Sequence, residues 1–355
     1  MQDIADAMQI SRISVWKALN NRPGVSEDLR ERVFEKARQI GYFKKPNGSV
    51  NGKPATRTVA AVVSRPESSI FWMQIIHQIA KELSMQEVNL MYTYMPVAHT
   101  IGDKLPEALN DGSVNGIIVL NVYSQPQLEM LSKLPIPKVF LDCVPALSPG
   151  QMDGDIVIIE GRAAVGEITG RLLDGGNHKL GFVGDIHYAQ TNMDRYLGFS
   201  DAHAKRGLKI SETFNMTEHL HIDTHYQQIS AFMSSLSTMP DGFVCASDYI
   251  AHFIERYFAE NDIDRSEIHL TGFDNSSEYP YVAGKITTVD VQTDAMGERL
   301  ANKIMFAINN PNIPHEVSYV LTKPIYRSSF ESSQQISQHN YEGRRKKHSP
   351  AYSAI

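Results

Sequence analysis

The chain has 355 residues, too many for one small domain, and its 42% apolar content suits a protein that buries full cores. Its two cysteines, Cys143 and Cys245, sit in apolar runs, and no apolar stretch approaches a membrane span, so disulfide-built and membrane-spanning classes are excluded and a reducing, cytoplasmic setting is expected. The net charge of −6 hides an asymmetry: residues 1–58 hold eleven Lys and Arg against six Asp and Glu, a charge of +5, which leaves −11 for the remainder. A cationic head on an acidic body favours a polyanion at one end and self-repulsion elsewhere.

In chain order, the opening MQDIADAMQISR has none of the architecture of a secretory leader. Residues 1–45 read as three short helices. Ile4, Ala5 and Met8 share one face; Ser11 stands in N-cap position before a second run with Val15, Ala18 and Leu19 on its apolar side. NNRPG (20–24) is a loop by composition, and Ser26 begins a capping pattern before a third helix with Leu29, Val33, Ala37 and Ile40 at helical spacing, ended by Gly41. Residues 46–57, rich in Gly, Pro, Asn and Ser, read as a linker.

From Val59 the texture changes to short β-branched runs alternating with helical patterns. These are TVAAVV, a helix over 71–86, VNLMYTY, a helix over 103–111, GIIVLNV, a helix over 125–132, KVFLD and DIVII. A helix over 163–173, KLGFVG, a helix over 194–206, GFVCAS, a helix over 249–260 and IHLTGF follow. The alternation predicts an α/β class of parallel sheets with crossover helices on both faces, and such sheets place ligand sites at the carboxyl ends of their strands. The polar, aperiodic segment 331–355 reads as a disordered tail.

The stretch DIADAMQISRISVWKALNNRPGVSEDLRERVFEKARQIGY resembles the helix-turn-helix head of the LacI/GalR family of transcription regulators. The D-I-A opening, the I-S-x-x-S-V turn, the A-L-N-N-R-P-G-V-S loop and the I-G-Y ending carry that resemblance. It implies a second helix in the major groove of a palindromic double-stranded operator bound by a homodimer. Arg12, Ile13 and Lys17 would then face base edges, while Ser11, Ser14 and Asn20 hold phosphates. Arg12 can fork onto guanine, whereas Ile13 can only pack on a thymine methyl. Three departures stand out. The usual turn glycine is Gln9, and Trp16 stands where the family often has Ser. The hinge-helix Leu that wedges into the operator centre is also missing, since no Leu lies between Tyr42 and Val59, and its place falls on Asn51 or Lys53. Weak intercalation and a gently bent operator are therefore expected.

The body resembles the periplasmic-binding-protein-like core of the same family over 58–330. The landmarks are VNGIIVL, FLD, GGNHKLGFVGD, R-x-x-G-F, DGFVCASD, LTGFDN and ITTVDVQ. The resemblance implies two lobes, 58–158 with 292–322 and 159–291 with 323–330, and a small effector, a sugar, between them. Arg195 matches the family's ligand-clamping Arg and Asp274 its hydroxyl-binding Asp; Asp142 and Ser247 fall at other pocket positions. Arg65, Phe71, Trp72, Thr191 and Gln292 complete the candidate effector set, with Phe71 and Trp72 equally able to face a dimer partner and Asp248 equally able to cap a helix. No P-loop, zinc-ligand spacing or nucleophile elbow occurs, and H-L-H (219–221) has no acidic cluster beside it in sequence. Neither an enzyme nor a metal or cofactor is expected. The alternative, a sugar-transport receptor on the same core, calls for a leader peptide and no basic head.

Overall fold

The structure is a computed structural model that describes residues 2–19, 22–39, 57–64, 69–96 and 104–327. The head is three helices, α1 (Gln2–Met8), α2 (Arg12–Leu19) and α3 (Glu27–Gln39). Their apolar faces meet in one small core of Ile4, Ala5, Val15, Ala18, Val33 and Ala37, with Met8, Leu19 and Leu29 packed against it. The two serines do the capping that their positions suggest. Ser11 Oγ accepts from the Ser14 amide at 3.0 Å and Ser26 Oγ from the Leu29 amide at 3.2 Å. Ile40, Gly41 and, apart from Arg57, the linker 46–57 lie outside the described residues, as does the tail 331–355.

The first sheet is wholly parallel. It is built from β1 (Thr58–Val63), β2 (Asn89–Tyr94), β3 (Gly116–Leu120), β4 (Lys138–Leu141), β5 (Asp155–Ile159) and β10 (Val317–Val320), in the order β10-β5-β4-β3-β1-β2. Its central strands are buried at every position, and apolar but for Lys138 and Asp155 at their starts, because helices cover both faces. On one face lie α4 (Ile70–Met85) and α10 (Thr293–Asn309); on the other lies α5 (Gln125–Ser132). We call this assembly lobe one.

Lobe two is built around the parallel sheet β6 (Leu180–Val183), β7 (Gly242–Cys245) and β8 (His269–Thr271). The antiparallel pair β9 (Thr288–Asp290) and β11 (Lys323–Ile325) joins it through bridges at Thr271–Thr287 and Asp274–Asp290. Helices α6 (Arg162–Asp174) and α7 (Gln190–Ala204) cover one face, while α8 (His225–Ser235) and α9 (Asp248–Glu260) cover the other. The chain passes between the lobes three times: after β5, after β9 and after β10.

The α/β expectation holds, with local corrections. The helix expected over 103–111 shrinks to a single 3₁₀ turn, Glu107–Leu109, within the described part of that segment. Pro106 disfavours helical backbone at the residue before it, and Gly112 closes the turn at φ +82°. Conversely α8, α10 and β9 to β11 lie where the alternation had not been read. Both cysteines are buried and free. Burial pushes the Cys143 thiol up to about 12 and raises Cys245 as well, so both sulfurs are packing groups.

Candidate functional site

Two sites can be built from these elements. The first is the outer face of α2. Val15 and Ala18 turn into the head core, so Arg12, Ile13 and Trp16 turn away from it and are exposed. Ser14 is half-buried with its Oγ 2.8 Å from that of Ser11. Lys17 is half-buried too. A side chain on Gly24 would meet its ammonium at 3.1 Å, which puts Lys17 back over the 22–24 loop. The Arg22 guanidinium stands 6.0 Å from the centre of the Trp16 ring. Asn20 lies outside the described residues.

The second site is a cavity of about 450 Å³ between the carboxyl ends of the strands of the two lobes. Several of those strands end on a residue with positive φ. Asn121 follows β3 at +53°, Asp142 follows β4 at +72°, and Asp274 lies beyond β8 at +107°. Asn and Asp tolerate this region better than other side chains, and here it turns all three to the cavity wall.

Arg195, on α7, is buried beneath this wall. Its Nη1 donates to the Ala246 carbonyl, its guanidinium lies 3.6 Å from the centre of the Phe273 ring, and its Nη2 is 3.9 Å from Asp274 Oδ1. Its buried Nε has no hydrogen-bond partner among the described residues. Burial pushes the Asp274 carboxyl up to about 7 against the pull of Arg195, with nearby Asp248 adding to the rise. A charge-bearing carboxyl and an incompletely bonded guanidinium thus share one wall, which suits vicinal hydroxyl groups.

Asp142 has a different job. Its carboxylate accepts from the Cys143 amide at 2.8 Å, the Thr191 hydroxyl at 2.6 Å and the Thr191 amide at 3.3 Å. Thr191 belongs to lobe two, so this pair ties the lobes together; the Gln190 amide adds a bond to the Cys143 carbonyl. Burial raises Asp142 to about 6, while the bonds from Thr191 and Cys143 and the charge of Arg195 pull the other way. Glu278 of lobe two, also in the cavity lining, accepts from the Ile70 amide at the start of α4, at 3.0 Å.

Phe71 and Trp72 both line the cavity, edge to face with centroids 5.1 Å apart. Ser247 lines it while also capping α9 through the Ile250 amide at 3.3 Å. Asp248 neither caps that helix nor reaches the cavity: it is buried and receives the Thr288 hydroxyl at 2.7 Å and the Ser276 amide at 2.8 Å, bracing the turn that carries Asp274. Gln292 is a correction. It is exposed in N-cap position before α10, because the chain turns there toward lobe one and carries its side chain away from the cavity. Arg65 lies outside the described residues.

Sequence reasoning missed the aromatic walls Tyr123, Tyr188, Tyr249 and Tyr279, of which Tyr123 and Tyr188 meet across the lobes at 4.4 Å. It also missed the acid beside H-L-H. Asp185, after β6, accepts from His219 Nδ1 at 2.8 Å, though no group able to hold a metal ion occurs among the described residues.

Residues 169–330 match the model of the periplasmic binding protein-like domain. Catabolite control protein A of Staphylococcus aureus is 24% identical over 336 residues, 89% of this chain and 97% of that protein. The HTH-type transcriptional regulator RegA of Clostridium saccharobutylicum is 23% identical over 330 residues, 90% of this chain and 96% of that one. Both relatives are transcription regulators, in keeping with the resemblance to the LacI/GalR family that the sequence carries. Among solved structures, a transcriptional regulator CelR–cellobiose complex superposes with a TM-score of 0.68 at 20% identity, covering 92% of this chain and 98% of that one. The lac repressor dimer bound to operator and the anti-inducer ONPF superposes at 0.65 with 15% identity and the same coverage. The head keeps its turn without a glycine: Gln9 takes φ +54° itself.

Proposed function

We propose that this LacI/GalR chain is a cytoplasmic, homodimeric repressor that binds a palindromic operator through α2 and senses a neutral, carbohydrate-like effector in the cleft. The observation that carries the effector reading is the wall shared by Arg195 and Asp274 inside a 450 Å³ cavity flanked by aromatic rings. Carboxyl groups at Asp142, Asp185, Asp274 and Glu278 outnumber the one arginine, Arg195, among the described lining residues, which disfavours a sugar phosphate. The cleft senses its ligand and leaves it chemically unchanged. Dimerisation is supported by apolar side chains left exposed on neighbouring α4 and β2, namely Met73, Tyr92 and Tyr94. Effector between the lobes shifts their relative position and hence the spacing of the two heads.

The test pairs two measurements. A thermal-shift screen of neutral sugars and sugar phosphates should find a neutral sugar that stabilises the chain, by about 2.7 kcal/mol at 100 times its dissociation constant. Deleting residues 1–45 should abolish operator binding in a gel shift and leave that response intact. Operator binding by the truncated chain, or stabilisation by sugar phosphates alone, refutes the respective half of the reading.

A further inference from the structure

We infer that Ile13 and Trp16 form an apolar reading pair on α2, each meeting the 5-methyl group of a thymine, so that operator recognition depends on methyl groups as well as on the guanine contact of Arg12. The inference rests on the reading of α2 as the helix that enters the major groove, and it names what that helix reads.

Ile13 and Trp16 are one helical turn apart and therefore neighbours on the surface of α2. Ile13 is 66% exposed and Trp16 43%, and among the described head residues they are the large apolar side chains left this open. The small core of the head takes Val15 and Ala18 from the same helix, and neither Ile13 nor Trp16 belongs to it. Their exposure is explained by a partner that covers them.

Charge decides which partner. The pair is flanked by Arg12, Lys17 and Arg22, and α2 itself carries no acidic residue. With Lys17 lying back over Gly24 and Arg22 beside the Trp16 ring, the cations frame the apolar pair without burying it. A surface that is apolar at its centre and cationic at its rim fits a duplex groove between phosphate rows. In that groove the apolar group on offer is the thymine methyl. Ile13 has no hydrogen-bonding side-chain atom and Trp16 has a single donor, so neither can copy the paired donor and acceptor pattern by which Arg reads guanine. The serine often found at the Trp16 position in the family could not make such a contact.

The experiment uses the full chain. Its binding site is first selected from a pool of random 30-base-pair duplexes, and each thymine of the enriched site is then replaced by deoxyuridine, which removes the methyl and nothing else. Affinities are read by fluorescence anisotropy for the parent, Ile13→Ala and Trp16→Ala. At two thymines per half-site the parent should bind about three- to fivefold more weakly without the methyl, the worth of one buried methyl group. Ile13→Ala should be indifferent to one of these replacements and Trp16→Ala to the other. Both variants should keep the helical circular dichroism of the parent and its binding to random DNA at low salt.

If no sequence is enriched, the reading of the head as a sequence-specific binder fails and the inference falls with it. If a site is enriched but methyl removal changes nothing, or the variants keep the full methyl dependence, the head reading stands and the inference is wrong. A loss in Trp16→Ala that is equal on every duplex, with or without methyls, places the indole on the sugar–phosphate backbone and overturns its half of the pair.

Discussion

Of the cleft carboxyls, Asp274 is raised furthest, ahead of Asp142. Its carboxyl is held at about 7 in the folded chain by burial, against an unfolded value near 3.9. The folded state therefore holds that proton more tightly. The contribution to stability is present in full below about pH 4 and is lost as the pH rises through about 7. On about 1.36 kcal/mol per unit, the ionised group costs the folded state roughly 4 kcal/mol at most at pH 8. Asp274→Asn should thus unfold at higher urea than the parent at pH 8, with the advantage gone by about pH 4. An equal difference at both pH values would show that burial of this carboxyl is not the cause. The same group makes a binding prediction: effector hydroxyls donating to the ionised form should bind more tightly from pH 6 to pH 8. Calorimetry at pH 7 in buffers of different ionisation heat should then register proton release, and a pH-independent affinity would remove Asp274 from the contact. Arg195 and Asp274 were legible because each sits in a compact local motif, R-x-x-G-F and LTGFDN. Tyr123, Tyr188, Tyr249 and Tyr279 were not, because a tyrosine in a loop or at a helix start looks the same whether it faces a core or a cavity, and only the tertiary fold gathers these four.

At the scale of elements, two helix pairs depend on the absence of a side chain. On α7, a Cβ at Gly198 would stand 2.2 Å from the Arg162 carbonyl and 3.0 Å from the Gly166 nitrogen of α6. Gly198→Ala should destabilise the chain by about 1–3 kcal/mol, the usual penalty of overpacking, seen as a lower urea midpoint at unchanged slope. An unaffected midpoint would mean that α6 and α7 slide apart freely. On α10, a Cβ at Gly297 would meet the Ile75 carbonyl and Gln78 Cβ of α4 at 2.7 Å. That glycine also explains why α10 was hard to see in the sequence. It counts against a helix by about 1 kcal/mol in isolation, yet here it allows α10 to cross α4 closely while Met296, Leu300 and Ile304 are buried. Central strands of the first lobe were legible for the opposite reason: continuous burial leaves β3 apolar throughout and β5 apolar after Asp155. In the head, Gln9 holds a backbone conformation that glycine adopts without strain. Gln9→Gly should therefore slow amide hydrogen exchange in α1 and α2 by about three- to fivefold, equivalent to about 0.6–1 kcal/mol. Faster exchange would mean that the Gln9 side chain stabilises the turn after all.

For the whole molecule, two side-chain hydrogen bonds join the lobes at the cavity, Thr191 with Asp142 and Glu278 with the first turn of α4, beside the Gln190–Cys143 backbone bond and the Tyr123–Tyr188 contact. The two side-chain bonds share no partner, so their effects should add. Thr191→Val keeps the side-chain shape but removes the hydroxyl that Asp142 receives at 2.6 Å, leaving a buried carboxylate short of a donor. That loss is worth about 1.5–3 kcal/mol for a charged acceptor, enough to shift an open–closed balance about tenfold or more. Glu278→Gln keeps an acceptor for the Ile70 amide but removes the negative charge that favours a helix N-terminus, a smaller change of about 0.3–1 kcal/mol. In the effector-free chain, the radius of gyration from small-angle scattering should therefore increase clearly in Thr191→Val and slightly in Glu278→Gln. The double variant should show the sum. Because a ligand that bridges both lobes binds the closed form, its apparent affinity should weaken in proportion to the closed fraction that is lost. If Thr191→Val leaves the scattering curve unchanged yet weakens effector binding, Thr191 acts by touching the effector, and its bond to Asp142 does not hold the lobes together.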